Sequence, residues 1–187
     1  MNCMFDIESL RAMIRDGAQL EYLTFWGHSA RSANVVDRNC LSQWYPASFE
    51  LDGFRYPTAE HFMMEQKARL FGDNATAERI LMADSAAGAK NLGREIKCFD
   101  EAHWIAARLD IVVRGNLAKF EQNRQCKTFL LETRDSVLVE ASPVDRIWGI
   151  GIATDHPDIR MPERWPGLNL LGFALMRVRA RLRDAHP

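Results

Sequence analysis

A carboxylate and an amine stand seven residues apart in the segment Tyr56 to Phe71, YPTAEHFMMEQKARLF. On one helix, seven steps of about 100° fall about 20° short of two turns, so Glu60 and Lys67 share a face about 10 Å apart along the axis. Met63 and Met64 lie between them on the neighbouring surface. A carboxylate and an amine would then flank an apolar strip. The competing reading is a solvated charged edge on a core helix. Taken by itself the spacing favours that reading, because charged residues at helical spacing usually face water.

Three further segments could bind rather than react. In DRIWGIG, Asp145 to Gly151, the glycines Gly149 and Gly151 let backbone approach a ligand while Trp148 offers a flat stacking face. A tight turn around a core Trp is the plainer alternative. In NLLG, Asn169 to Gly172, the amides of a helix start could hold a phosphate or ribose oxygen. Asn169 could equally be a simple N-cap. In LGRE, Leu92 to Glu95, Arg94 could grip a phosphate in a bidentate fork. It could also be a cation favoured by the helix dipole.

Other chemistries lose their signatures. The five histidines, His28, His61, His103, His156 and His186, include no pair at i, i+3 or i, i+4, so no metal site on one helix is expected. His61 projects about 100° from Glu60 and reads as a packing residue. Cys3, Cys40, Cys98 and Cys126 form no C-x-x-C pair, which argues against structural zinc. There is no GxSxG, no P-loop and no GxGxxG after a strand. No metal and no cofactor are expected.

These residues need elements to position them. Asp6 caps a short helix through Ile14, ended by Gly17, and Tyr22 to Trp26 reads as a strand. Arg31 to Asn39 reads as loop. Asp52-Gly53 joins strands Ser48–Leu51 and Phe54–Tyr56. Thr58 caps a helix to about Phe71, followed by helices at 75–83 and from Ser85 to Leu92. Asp100 opens the longest helix, to about Phe120, and another lies near 127–132. Ser136 to Ala141 reads as a strand. Residues 146–166 read mostly as loop before a terminal helix from Asn169. The predicted class is α+β, a mostly helical single domain packed on a small antiparallel sheet. The 187 residues carry a net charge of −1, so no overall basic field advertises nucleic acid. The opening MNCMFDIESLRAMIRDG reads as neither secretory signal nor membrane span, and spread thiols read as reduced. A cytoplasmic protein without membrane contact is expected.

In chain order, Ser42 to Pro46 (SQWYP), EHFMMEQKA, LGRE, AKFEQN (Ala118 to Asn123), LVEAS, DRIWGIG and NLLG together resemble the YbiA-like, or NADAR, family. The resemblance covers about residues 23 to 182. Gln43 stands where the family more usually has Asn. Residues 1–20 fall outside the motif set as an N-terminal extension, with 21–187 as the catalytic domain.

The resemblance implies an N-glycosidase. Members cleave ribosylamino intermediates of riboflavin synthesis, and others remove ADP-ribose from guanine in DNA, some as antitoxins to a DNA ADP-ribosyltransferase. It implies Glu60 and Lys67 as catalytic residues. Ser42, Trp44, Arg94, Asp145, Trp148, Gly149, Gly151 and Asn169 are implied to bind substrate. The implied partners are an ADP-ribosylated guanine base or a nucleotide-like small molecule, modified DNA, and a cognate ADP-ribosyltransferase toxin. ADP-ribosylated guanine in nucleic acid ranks first among the substrates, ahead of riboflavin intermediates. A non-catalytic ADP-ribose-binding module is the rival from another class. It could keep Trp148 and Asn169 but need not keep both Glu60 and Lys67.

Overall fold

Polar residues at helix starts set most of the boundaries in the computed structural model, which describes residues 6–27 and 35–184. Asp6, Thr58, Asp73, Ser85 and Asp100 each turn a side-chain oxygen onto an N–H three residues on, satisfying amides that a helix start leaves open. Two compact units result, Gln43–Arg124 and the two chain ends Met1–Ser42 with Gln125–Pro187. His28, His186 and Cys3 lie outside the described residues.

The Gln43–Arg124 unit opens with a hairpin, β2 Phe49–Leu51 and β3 Phe54–Tyr56, paired antiparallel with Phe49 opposite Tyr56. Asp52 and Gly53 both take positive φ, 54° and 81°, as a two-residue hairpin turn of this hand requires. Four helices follow: α2 Ala59–Leu70, α3 Asn74–Leu81, α4 Ala86–Leu92 and α5 Glu101–Gln122. α2 packs against the other three. Phe49, Tyr56, Ala59, Phe62 and Ala118 form the core cluster, with the Tyr56 and Phe62 rings edge to face at 5.1 Å. Full burial of each such large side chain contributes about 1.5–3 kcal/mol. Gly115 lets α5 approach α2, since a Cβ there would lie 2.3 Å from the Phe62 ring. Gln122 and Asn123 of the AKFEQN motif tie α5 to the hairpin. Gln122 exchanges two 2.8 Å bonds with the Glu50 backbone, and Asn123 donates to the Ser48 carbonyl at 3.0 Å.

The other unit joins both ends of the chain. α1 is Ile7–Arg15, β1 is Tyr22–Phe25, α6 is Arg124–Glu132, β4 is Val137–Glu140 and α7 is Leu170–Asp184. β1 and β4 pair in parallel, Tyr22 opposite Val137. This corrects the expected single antiparallel sheet: among the described residues there are two separate two-stranded sheets, and only the hairpin is antiparallel. Val137, Leu138 and Val139 are all buried. Such an unbroken apolar run suits a parallel strand covered on both faces. Leu10 is fully buried and Arg11 Nε donates to the Pro162 carbonyl at 3.1 Å. The expected loop Arg31 to Asn39 lies outside the described residues over 31–34, and Arg38–Leu41 forms a 3-10 turn at its end; Pro157–Arg160 and Pro162–Arg164 form two more within the later loop. Among the described residues no helix is long and apolar enough to cross a membrane.

Candidate active site

α2 is a buried helix that carries charge. Glu60 is only 3% exposed, in the company of Ala59, His61, Phe62, Met63 and Met64, all buried. The solvated-edge reading therefore fails for Glu60. Carboxylates are almost never this buried unless paired or functional. Two anchors fix the start of α2. The Glu60 N–H donates to the Gln43 carbonyl at 3.0 Å. His61 lies between Thr58 Oγ1, 2.8 Å from Nδ1, and the Ala83 carbonyl, 3.1 Å from Nε2. A carbonyl only accepts, so Nε2 carries the proton and the Thr58 hydroxyl donates to Nδ1. Burial holds the His61 pKa below its ordinary value. Gln43 is itself held. Its Oε1 accepts from Asn116 Nδ2 at 2.7 Å, and its side chain rests against the Met63 sulfur. The longer Gln thus bridges α2 and α5.

Lys67 lies two turns along α2, half-buried. Its Nζ donates to the Gly93 carbonyl at 2.9 Å. It stands 4.5 Å from the Phe99 ring centroid and 5.7 Å from that of Trp104. Burial pushes its pKa down. The carbonyl and the two ring faces pull the other way, because each favours an ammonium. Desolvation is the larger cause. The apolar wall was expected from Met63 and Met64. Phe99 and Trp104 provide it instead, while Met64 packs so tightly on Gly93 that a Cβ there would lie 2.2 Å from its sulfur. Arg94 is exposed, with Nη1 3.2 Å from Asn91 Oδ1. Trp44 is half-buried, its ring 5.6 Å from Lys90 Nζ. This unit thus holds Glu60, Lys67, Trp44 and Arg94.

Ser42, Asp145, Trp148, Gly149, Gly151 and Asn169 belong to the other unit. Ser42 ends the turn Arg38–Leu41, its N–H donating to the Asn39 carbonyl. Asp145 Oδ1 accepts the Ile147 and Trp148 amides, both at 2.8 Å, and so folds its own turn. Trp148 is half-buried. Gly149 passes against β4, where a Cβ would meet the Glu140 carbonyl at 2.9 Å. Gly151 takes φ 76°.

Asn169 departs from expectation. It was read as the cap of the last helix and a substrate contact, but it is fully buried. Its Nδ2 donates to the Leu138 carbonyl at 2.9 Å, and its Oδ1 accepts the Glu140 N–H at 3.0 Å. The amide thus replaces a missing strand partner for β4. The anion site expected on the first amides of α7 is also filled by protein. The Asn169, Leu170 and Leu171 N–H groups donate to the carbonyls of Gly149, Ile147 and Trp148.

Sequence reasoning passed over Lys90, Phe99 and Trp104. Lys90 had a legible signal, standing four residues before Arg94. Lys119, fully buried beside the Tyr45 and Phe120 rings, had none, because its motif reads as amphipathic helix. Among the described residues no three His, Cys, Asp or Glu side chains gather as a metal site.

The helical α+β fold and the order of these segments define a class. The chain matches the NADAR domain over residues 24–183 and belongs to that family. It is 41% identical over 165 residues to N-glycosidase R617 of Acanthamoeba polyphaga mimivirus, covering 85% of this chain and 95% of that one. It is 33% identical over 147 residues to riboflavin biosynthesis protein VVA0006 of Vibrio vulnificus, covering 79% of this chain but 36% of that protein. The NMR structure of Escherichia coli YbiA superposes with a TM-score of 0.70 at 27% identity, covering 90% of this chain and 88% of YbiA.

Proposed function

We propose that this chain is an N-glycosidase that cuts the bond between ribose C1 and an exocyclic amine, with Lys67 as nucleophile and Glu60 as proton shuttle. The carrying observation is a half-buried lysine of lowered pKa on the same helix as a carboxylate that is 3% exposed. The relative's name, N-glycosidase, supports the bond class.

The linkage explains why a lysine is useful. The exocyclic nitrogen can push its lone pair onto C1, and the ring oxygen leaves with a proton from Glu60. This opens the ribose to an imine. Neutral Lys67 adds to C1, the base amine departs with a proton, and a lysine imine remains. Water adds to that imine, Glu60 takes the water's proton, and Lys67 leaves as the sugar is released. An N-glycosidase for stable nucleosides usually stabilises an oxocarbenium ion with a carboxylate and needs no lysine.

ADP-ribosylated guanine in nucleic acid is the first substrate of this reading, with an ADP-ribosyltransferase toxin as the implied opponent. A ribosylamino-pyrimidine intermediate of riboflavin synthesis has the same linkage, and the name of the Vibrio relative favours it. Turnover of both substrates side by side tests the reading. Release of free base from either supports the bond class, and the faster one names the substrate. Release from neither would overturn it. A binding module would take up ADP-ribose without turning over any of these.

A further inference from the structure

Residues 93–99 join α4 to α5 as a strap that meets Lys67 twice. The Gly93 carbonyl accepts from Lys67 Nζ at 2.9 Å, and the Phe99 ring centroid lies 4.5 Å from the same nitrogen. Phe99 is 46% exposed, so burial in the core does not hold its ring there. Its ring meets Phe71 edge to face at 5.2 Å. Among the described residues the strap backbone makes one other hydrogen bond beyond α4: the Lys97 N–H donates to Asp73 Oδ2 at 3.0 Å. Ile96 is buried, and Glu95 adds an exposed pair with Arg79, a kind that contributes little. Asp73 is fixed on its other side. Its Oδ1 accepts the Thr76 N–H of α3 at 3.1 Å, and its own N–H donates to the Ala68 carbonyl of α2 at 2.9 Å. The Lys97 amide, and after it the Thr76 amide, hold the Asp73 carboxyl below the usual carboxylate range. A helix cap needs only one of its two oxygens. Cys98, between Lys97 and Phe99, takes φ 54°, which a residue with a side chain keeps only where its neighbours hold it.

We propose that Asp73 is a positioning residue for Lys67: its second carboxylate oxygen pins the strap through the Lys97 amide and so keeps the Phe99 ring over the amine. This inference rests on Lys67 being the nucleophile of the proposed reaction. Such a lysine must spend part of its time neutral, and keeping water from Nζ favours the neutral form. Burial is what lowers the Lys67 pKa, with no charged neighbour contributing. The groups around Nζ are the Gly93 carbonyl and the Phe99 and Trp104 rings, while His103 of α5 meets the Phe71 ring at 5.8 Å. The sign of the effect separates the strap from the charge of Asp73. An anion acting on Lys67 would favour the ammonium, so losing that charge alone would lower the lysine pKa. Loosening the strap admits water and raises it.

Reaction of Lys67 with acetic anhydride, followed against pH by peptide mass spectrometry, reads the amine without turnover. Asp73→Asn keeps one oxygen for the Thr76 amide and turns an NH2 group toward the Lys97 N–H. Asp73→Ser keeps the cap with a hydroxyl too short to serve both amides. Each is expected to raise the midpoint of the Lys67 profile toward the ordinary lysine value, with about a threefold loss of neutral amine at any pH well below it. Added to Phe99→Ala, either should move the midpoint little further, because both act on the same ring. An unchanged or lower midpoint in either folded variant would overturn the role, as would a full further rise on top of Phe99→Ala. A raised midpoint in a protein that releases no base would overturn the reaction and leave the positioning standing. Sugar trapped on Lys67 with the midpoint unmoved by Asp73→Asn would do the reverse.

Discussion

The two units treat their polar motif residues in opposite ways. In the unit formed by the chain ends, Asp145 and Asn169 put their side chains onto backbone amides and carbonyls, and the glycines beside Trp148 make room for a close-packed turn. In the Gln43–Arg124 unit, Glu60 is buried at a helix start, and Lys67 is half-buried with its Nζ on the Gly93 carbonyl. A recurring motif therefore has two physical meanings. It marks backbone that must be held in place, or charged side chains enclosed by a helical core. The groups they touch separate the two, while burial and residue type do not.

The largest expected effects test that division. Glu60→Gln keeps shape and loses proton transfer, and should lower kcat by about 10²–10⁴ while the melting temperature changes little. Lys67→Arg keeps the charge, cannot form an imine, and should be nearly inactive. Asn169→Ala should do the reverse. It strands the Glu140 N–H and the Leu138 carbonyl, which should cost about 2–4 kcal/mol in urea unfolding. Its remaining folded fraction should turn over normally. A folded Asn169→Ala that has lost kcat would erase the distinction.

Much of the frame was readable in advance. Side-chain oxygens three residues before a helical amide fixed four helix starts, at Asp6, Thr58, Ser85 and Asp100, and Asp52-Gly53 fixed the hairpin. These are local interactions, so local sequence holds them. The pairing of β1 with β4 joins residues more than a hundred positions apart, and no periodicity names a strand's partner. The same limit applied at the site. The common face of Glu60 and Lys67 follows from helix geometry. The wall around Lys67 comes from Phe99 and Trp104, beyond two intervening helices. Asn169 looked like a cap because it precedes a helix. Only the fold shows its amide turned toward β4.

A smaller effect concerns pH. With Lys67 acting as the proposed nucleophile in its neutral form, kcat should rise with pH and level off above the Lys67 pKa. Burial puts that limb below the ordinary lysine value of about 10.4. Phe99→Ala should open the amine to water and move the limb to higher pH. A move to lower pH would mean that the ring chiefly stabilises the ammonium.

The smallest effect belongs to His61. Its folded pKa is lowered by burial, so the unfolded chain takes up the proton first as pH falls. Stability should be complete well above the ordinary histidine value and fall as pH drops through it. The urea midpoint should therefore drop between pH 7.5 and 5, and His61→Gln should flatten that part of the profile. An identical slope in the variant would remove His61 as the cause.

In the proposed reaction Lys67 bonds covalently to ribose C1. Reduction with borohydride during turnover, followed by peptide mass spectrometry, tests it most directly. The account predicts a ribosyl adduct on Lys67 in the wild type and none in Lys67→Arg. Full activity in Lys67→Arg, with no adduct trapped in the wild type, would contradict it.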